Sequence, residues 1–231
     1  MTAASGGYNL NGQGGVDTLS GGKGDDTISG GVNADILKGG SGDDTLSGGA
    51  DNDEMTGDDG VDTFKVDGGT DTITDLGGTA GGQTDVLIVS SGATANATNI
   101  ASFTADGSTK NEGIANLTAK VGGGTIDIGN STTGAYTLTG LSGDDTLKGN
   151  GNNDTINGGD GADTLKGSAG ADVITGGNSA DNIDGGGESD TISGNLGNDI
   201  ITGGAGNDII TVDFGTDKVL DLGGAGGGES D

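Results

Sequence analysis

Sixteen aspartates fall at a fixed step of nine residues. The first run is Asp17, Asp26, Asp35, Asp44, Asp53, Asp62 and Asp71. The second is Asp145, Asp154, Asp163, Asp172, Asp181, Asp190, Asp199, Asp208 and Asp217. A solvated acidic face needs no period, so carboxylates spaced this evenly have a common task. Brought near one another they repel, unless a hard divalent cation stands between them. Ca²⁺ suits such a place, because it accepts about six to eight oxygens from carboxylates and backbone carbonyls in irregular geometry. Mg²⁺ demands a tighter octahedron and gives up its waters reluctantly.

The elements that would carry these carboxylates are legible around them. Two residues after each aspartate stands one apolar residue, from Leu19 to Ile73 and from Leu147 to Val219; each series starts one unit earlier, at Leu10 and Leu138, where Tyr8 and Tyr136 replace the aspartate. The unit is seen best in GGKGDDTIS at 21–29 and GGSGDDTLS at 39–47. Six residues read as a tight turn, with glycines for positive φ and exposed carbonyls. The last three read as a short strand whose central side chain points inward. If two units make one turn and the turns stack in parallel, each aspartate comes to about 4.8 Å from its counterpart eighteen residues on. Five such pairs in the first run (17–35, 35–53, 53–71, 26–44 and 44–62) and seven in the second (145–163–181–199–217 and 154–172–190–208) imply roughly twelve Ca²⁺ ions.

Composition sets the frame. The chain has 231 residues, 56 Gly, no Pro, Cys, Trp or His, 29% hydrophobic residues and a formal net charge of −28. It cannot build a thick core of large side chains. Low hydrophobicity at such charge ordinarily means disorder, but stacked repeats bury a thin continuous core, provided the charge is neutralised. Eight basic residues against 36 acidic ones exclude a nucleic-acid surface and disfavour anionic membranes. No apolar run reaches the roughly 18 residues of a transmembrane segment. With no His, no Cys and no hydrolase, metalloprotease or phosphate-loop motif, no catalytic residue and no organic cofactor is expected.

The nonapeptide GGxGxDxUx, with U apolar, resembles the RTX, or haemolysin-type, calcium-binding repeat. The resemblance implies an all-β fold of two parallel β-roll arrays separated by a non-periodic β segment, with the sixteen aspartates as metal ligands. The expected division is 1–76 for the first roll, 77–134 for the intervening segment, 135–222 for the second roll and 223–231 for the start of a further segment. Within 77–134, Val86 to Ser90, Ile100 to Thr104, Ile114 to Val121 and Thr125 to Ile128 read as short strands, and Asn111 to Lys120 is the nearest thing to a helix. The segments DTFKVDGGTDTITDL and ITVDFGTDKVLDL resemble caps that close such rolls.

Departures from the unit matter locally. The glycine place two residues before the aspartate holds Asn33, Asp51, Asn152, Ser179 and Glu188; Asn and Asp tolerate positive φ, whereas Ser179 and Glu188 put their turns in doubt. Tyr8 and Tyr136 are read as plugs at the starts of the rolls, Phe64 and Phe214 as plugs at the far ends, and Phe103 as core. Asp51 to Asp62 is not an EF-hand loop, because Thr56 stands where that loop requires glycine. Lys38, Glu54, Lys65, Lys148 and Lys166 interrupt the outward Thr and Ser ladder, which disfavours an ice-binding face.

Repetition also occurs at the scale of modules. YNLNGQGGVDTLSGG near Tyr8 parallels YTLTGLSGDDTLKGN near Tyr136, and Val66 to Asp85 parallels Val212 to Asp231. This fits a window of a longer tandem protein. The expected function is a calcium-binding structural module of a secreted bacterial surface protein, such as an S-layer, adhesin or extracellular filament. It would fold on Ca²⁺, reach the cell surface by type I secretion and assemble with copies of itself. The alternative is a secretion and folding tail of an exported enzyme or toxin.

Overall fold

The computed structural model describes residues 6–77 and 84–221. Glu229 and the expected segment 223–231 lie outside these. The chain divides into two compact units, Met1–Asn116 and Leu117–Asp231, a division that falls inside the stretch without a period. Among the described residues every regular element is a β-strand, and all register pairings are parallel.

In the first unit the strands alternate between two sheets. Asn9–Gly14, Thr27–Val32, Thr45–Ala50, Thr63–Val66, Val86–Val89 and Lys110–Asn111 form one. Thr18–Lys23, Ile36–Ser41, Glu54–Asp59, Thr70–Ile73 and Thr94–Ile100 lie in the other. Within the repeats each strand therefore pairs with the next but one, eighteen residues on: Thr27 with Thr45, Ile28 with Leu46, Ser29 with Ser47. In the second unit Tyr136–Ser142, Thr155–Asp160, Val173–Asn178, Thr191–Gly197 and Ile209–Thr211 share one sheet; Thr125–Asp127, Thr146–Lys148, Thr164–Ser168, Asn182–Gly187, Ile200–Ala205 and Lys218–Asp221 share the other. This is the parallel β-solenoid expected from the nonapeptide.

Period two along each short strand sends one apolar side chain inward, and the register stacks these into columns. One column in the first unit is Ile28, Leu46, Phe64 and Leu87; one in the second is Leu138, Ile156, Ile174 and Ile192. All eight are at most 1% exposed. The core is one side chain thick per sheet, so each residue is felt by its neighbours above and below. Replacing Phe64 by Ala leaves a hole in the middle of its column and should cost about 3–5 kcal/mol. Thermal unfolding at saturating calcium checks this; a loss below about 1 kcal/mol would show that the stack closes over the gap.

Three expectations are corrected here. Phe64 does not plug an end, because Val86–Val89 stacks directly on Thr63–Val66, and Thr94–Ile100 stacks on Thr70–Ile73. The segment DTFKVDGGTDTITDL is therefore not a cap. The coil runs on past it, through a connection too long to keep the period. Phe214 is 73% exposed and Tyr8 44%, so neither fills a core, whereas Tyr136 is 2% exposed with its hydroxyl 2.7 Å from Ser131 Oγ. The strand expected over Ile114 to Val121 is present as Ile114–Ala119, and Asn111 to Lys120 holds no helix. Phe103 is core, at 1% exposed, as expected.

Candidate metal sites

Every repeat turn ends on its aspartate, and stacking sets the carboxylate in the same pose from coil to coil. One oxygen, Oδ1, accepts the backbone N–H of the aspartate one coil earlier. Asp35 takes it from Asp17 at 2.7 Å, Asp44 from Asp26 at 2.7 Å and Asp199 from Asp181 at 2.9 Å. All twelve pairs expected from the spacing are joined this way. Tyr8 and Tyr136 begin the ladders by donating to Asp26 and Asp154.

The other oxygen, Oδ2, is the chemically open one. In fifteen of the sixteen aspartates it is buried with no hydrogen-bond partner; Asp154 is the exception. A buried carboxylate oxygen with nothing to accept is costly, and each such atom needs an explanation. What surrounds it supplies one. A Cβ placed on Gly30 would lie 2.5 Å from Asp35 Oδ2 and 2.6 Å from the carbonyl oxygen of Gly48, the matching glycine one coil on. At Gly185 the corresponding atoms are Asp190 Oδ2 and the Gly203 carbonyl, both at 2.5 Å. A carboxylate oxygen and a main-chain carbonyl from successive coils thus converge on one small space. Oxygen-only ligation in a flexible turn is what Ca²⁺ accepts and Mg²⁺ accepts poorly. Among the described residues no three acidic side chains converge as a metal cluster, so an ion held here draws on main-chain carbonyls as well as carboxylates.

The electrostatics agree, with one shift of emphasis. Asp62, Asp71, Asp172 and Asp181 are pushed up to about 7 from an ordinary 3.8, and Asp145, Asp154 and Asp190 to about 6. Asp44, Asp53, Asp163 and Asp199 are raised as well. Burial is the largest cause in every case, the accepted backbone hydrogen bond offsets part of it, and for most the neighbouring carboxylates add a smaller push. Desolvation, more than repulsion along the ladder, is what a cation would relieve.

Two sequence doubts are settled by backbone geometry. Ser179 and Glu188 take φ of 83° and 69°, as Asn33 and Asp51 do at 76° and 77°. Asp181 and Asp190 beside them keep the regular ladder. Asn152 does not adopt a positive φ.

The spacing missed other carboxylates. Asp85 continues the column of Asp44 and Asp62, accepting Asp62 N–H at 2.9 Å and Gly77 N–H at 2.7 Å. It follows Asp62 by twenty-three residues, so a nine-residue period cannot find it. Asp75 accepts from Gly57 and Asp58 at a turn outside the unit. The residue just before the repeat aspartate bonds in the opposite direction, to the coil that follows. Asp25 accepts Asp43 N–H, Asp43 accepts Val61 N–H, Asp144 accepts Ala162 N–H and Asn153 accepts Ala171 N–H, each at 2.9 Å. In a DD pair one carboxylate ties down the coil before and the other the coil after. The signal was present as an excess of Asp and Asn at that place.

Comparison with known families gives one finding. The model for the RTX calcium-binding nonapeptide repeat (4 copies) matches residues 11–46, 38–73, 130–165, 157–192 and 184–219, together more than half of the chain. Comparison with curated proteins returns no match.

Proposed function

This chain belongs to the RTX calcium-binding nonapeptide-repeat family, and on that premise we propose that it is a non-enzymatic extracellular module of a bacterial surface protein that folds on about a dozen Ca²⁺ ions and assembles with copies of itself. Calcium binding comes with the family. One observation carries the coupling to folding: fifteen buried aspartate oxygens without a partner, most of them beside a main-chain carbonyl of the next coil. A chain of charge −28 that hides its acids this way is expanded without the ion and ordered with it. The low-calcium cytosol would leave it loose enough to export, and calcium outside would fold it.

The extracellular and assembling role is supported by the duplication of the whole module, which suits a long surface protein better than a single tail. Among the described residues no helix is long and apolar enough to cross a membrane. The test is a calcium titration followed by circular dichroism, light scattering and electron microscopy. The expected result is a cooperative gain of β-structure, then sheets or filaments. A gain of β-structure with a strictly monomeric product would favour the secretion and folding tail instead. No gain would overturn the coupling.

A further inference from the structure

The turn from Gly149 to Asp154 differs from every other repeat turn among the described residues. Glycine places stand four and two residues before each repeat aspartate, and in the other turns at least one of these two takes a positive φ. Here they hold Asn150 and Asn152, and neither does. The changed path points the Asn150 N–H inward, where it donates to Asp154 Oδ2 at 2.8 Å. That is the oxygen left without a partner in the fifteen other repeat aspartates. Asp154 Oδ1 is taken by Tyr136 N–H at 2.7 Å, so both oxygens of this carboxylate, 1% exposed, are satisfied by the protein.

Asn150 is itself held in place. It is 1% exposed; its Oδ1 accepts Asn152 N–H at 2.9 Å, and its Nδ2 donates to the Gly134 carbonyl at 3.0 Å. Ser131 closes the group, accepting from Asn150 Nδ2 through its carbonyl and meeting the Tyr136 hydroxyl through its own. A buried polar network with its members paired is rigid, and breaking one bond exposes several unpaired groups. The carbonyl of Gly167 still faces Gly149 as in a regular turn, so the space for an ion remains. What closes it is the N–H. A donor directed at the carboxylate uses the lone pair a cation would need and sets the positive end of a dipole where the cation would stand.

We propose that the Gly149–Asp154 turn is a protein-only lock that takes no calcium, and that it is the preformed seed on which the calcium-filled coils of the second unit stack. The proposal rests on the calcium reading of the other turns. In a repeat stack the costly step is the first ordered repeat, after which neighbours add at lower cost, so a turn stable without ions sets where growth begins. It also removes the 154–172 pair from the dozen sites counted from spacing.

Hydrogen exchange by mass spectrometry on the full chain, in chelator and in calcium at neutral pH, tests this. In chelator, amides within 131–154 should exchange at least about tenfold more slowly than those of the regular turns at 39–44 and 158–163. Calcium should slow the regular turns and change 131–154 little. Asn150→Gly should erase the difference: its 131–154 segment should exchange fast in chelator and become calcium-protected like its neighbours, and that calcium arm shows that the variant folds. Fast exchange of 131–154 in chelator, or protection in Asn150→Gly that stays independent of calcium, overturns the lock. If no turn gains protection with calcium, the calcium reading itself falls and takes this proposal with it.

Discussion

Stripped of divalent cations at about neutral pH, the chain should lose most of its β-structure, and acidification to about pH 4 in the same chelator should restore much of it. Fifteen buried carboxylate oxygens have no partner within the protein. An unsatisfied buried polar group costs about 1–3 kcal/mol and more when charged, while a whole domain is stable by about 5–15 kcal/mol. Even the low figure, repeated along the ladder, matches the entire margin. Protonation removes the charge. Asp62, Asp71, Asp172 and Asp181 are pushed up to about 7 in the fold against an ordinary 3.8, and Asp145, Asp154 and Asp190 to about 6, with burial the largest cause throughout. A carboxyl raised by folding binds its proton more tightly in the folded state, so the ion-free fold gains stability as pH falls. That contribution is complete below about 3.8 and lost as pH rises through about 6 to 7.

Calcium reverses the slope. The ion needs carboxylates, so protons compete with it over that same window, and the calcium required for half-folding should climb as pH drops from about 7.5 to about 5.5. Circular dichroism against pH, with chelator and with calcium, reads both arms. An ion-free chain fully ordered at pH 7.5 would mean that the bare oxygens cost little, and the metal would lose its role in folding. An ion-free chain no more ordered at pH 4 would mean that desolvation is not what opposes the fold.

The nine-residue period makes the ladder readable in the sequence, because a solenoid converts sequence spacing directly into spatial stacking. Asp17 and Asp35 are two turns apart in sequence and hydrogen-bonded in space for the same reason. The limits of that reading are equally physical. Asp85 takes its place in the column only after a longer connection, and a fixed period cannot count across one. Phe64 looked terminal because its repeat run ends soon after it, yet the coil goes on in strands with a core of Val, Leu and Ala that no longer follow the nine-residue unit. Spacing also located the carboxylates without orienting them. That one oxygen is capped by an N–H while the other stays bare depends on the backbone path of each turn, and Asp154, in phase with the rest, has the opposite outcome at Oδ2.

The first glycine of each unit gives the second large effect. Positive φ explains the glycines at the second and fourth places, such as Gly22 at 109° and Gly42 at 126°, but Gly30, in the first place, has no positive φ. Its requirement is space: an added methyl would sit 2.5 Å from Asp35 Oδ2 and 2.6 Å from Gly48 O, inside the volume where an ion would be held. Gly30→Ala should therefore push the carboxylate and the next coil apart, at a cost of about 1–3 kcal/mol for overpacking, besides losing that ion's ligation. Gly22→Ala is the matched control, because nothing lies within 4 Å of its added methyl. It carries only the strain of a side chain at left-handed φ, about 1–2 kcal/mol, whether or not calcium is present. The discriminating measurement is the calcium titration of both variants beside the parent. Gly30→Ala should shift the midpoint upward and lower the number of ions bound, whereas Gly22→Ala should keep the ion count. Equal stoichiometry in parent and Gly30→Ala would place the ions elsewhere than between Asp35 and Gly48, and the first glycine would then need another explanation.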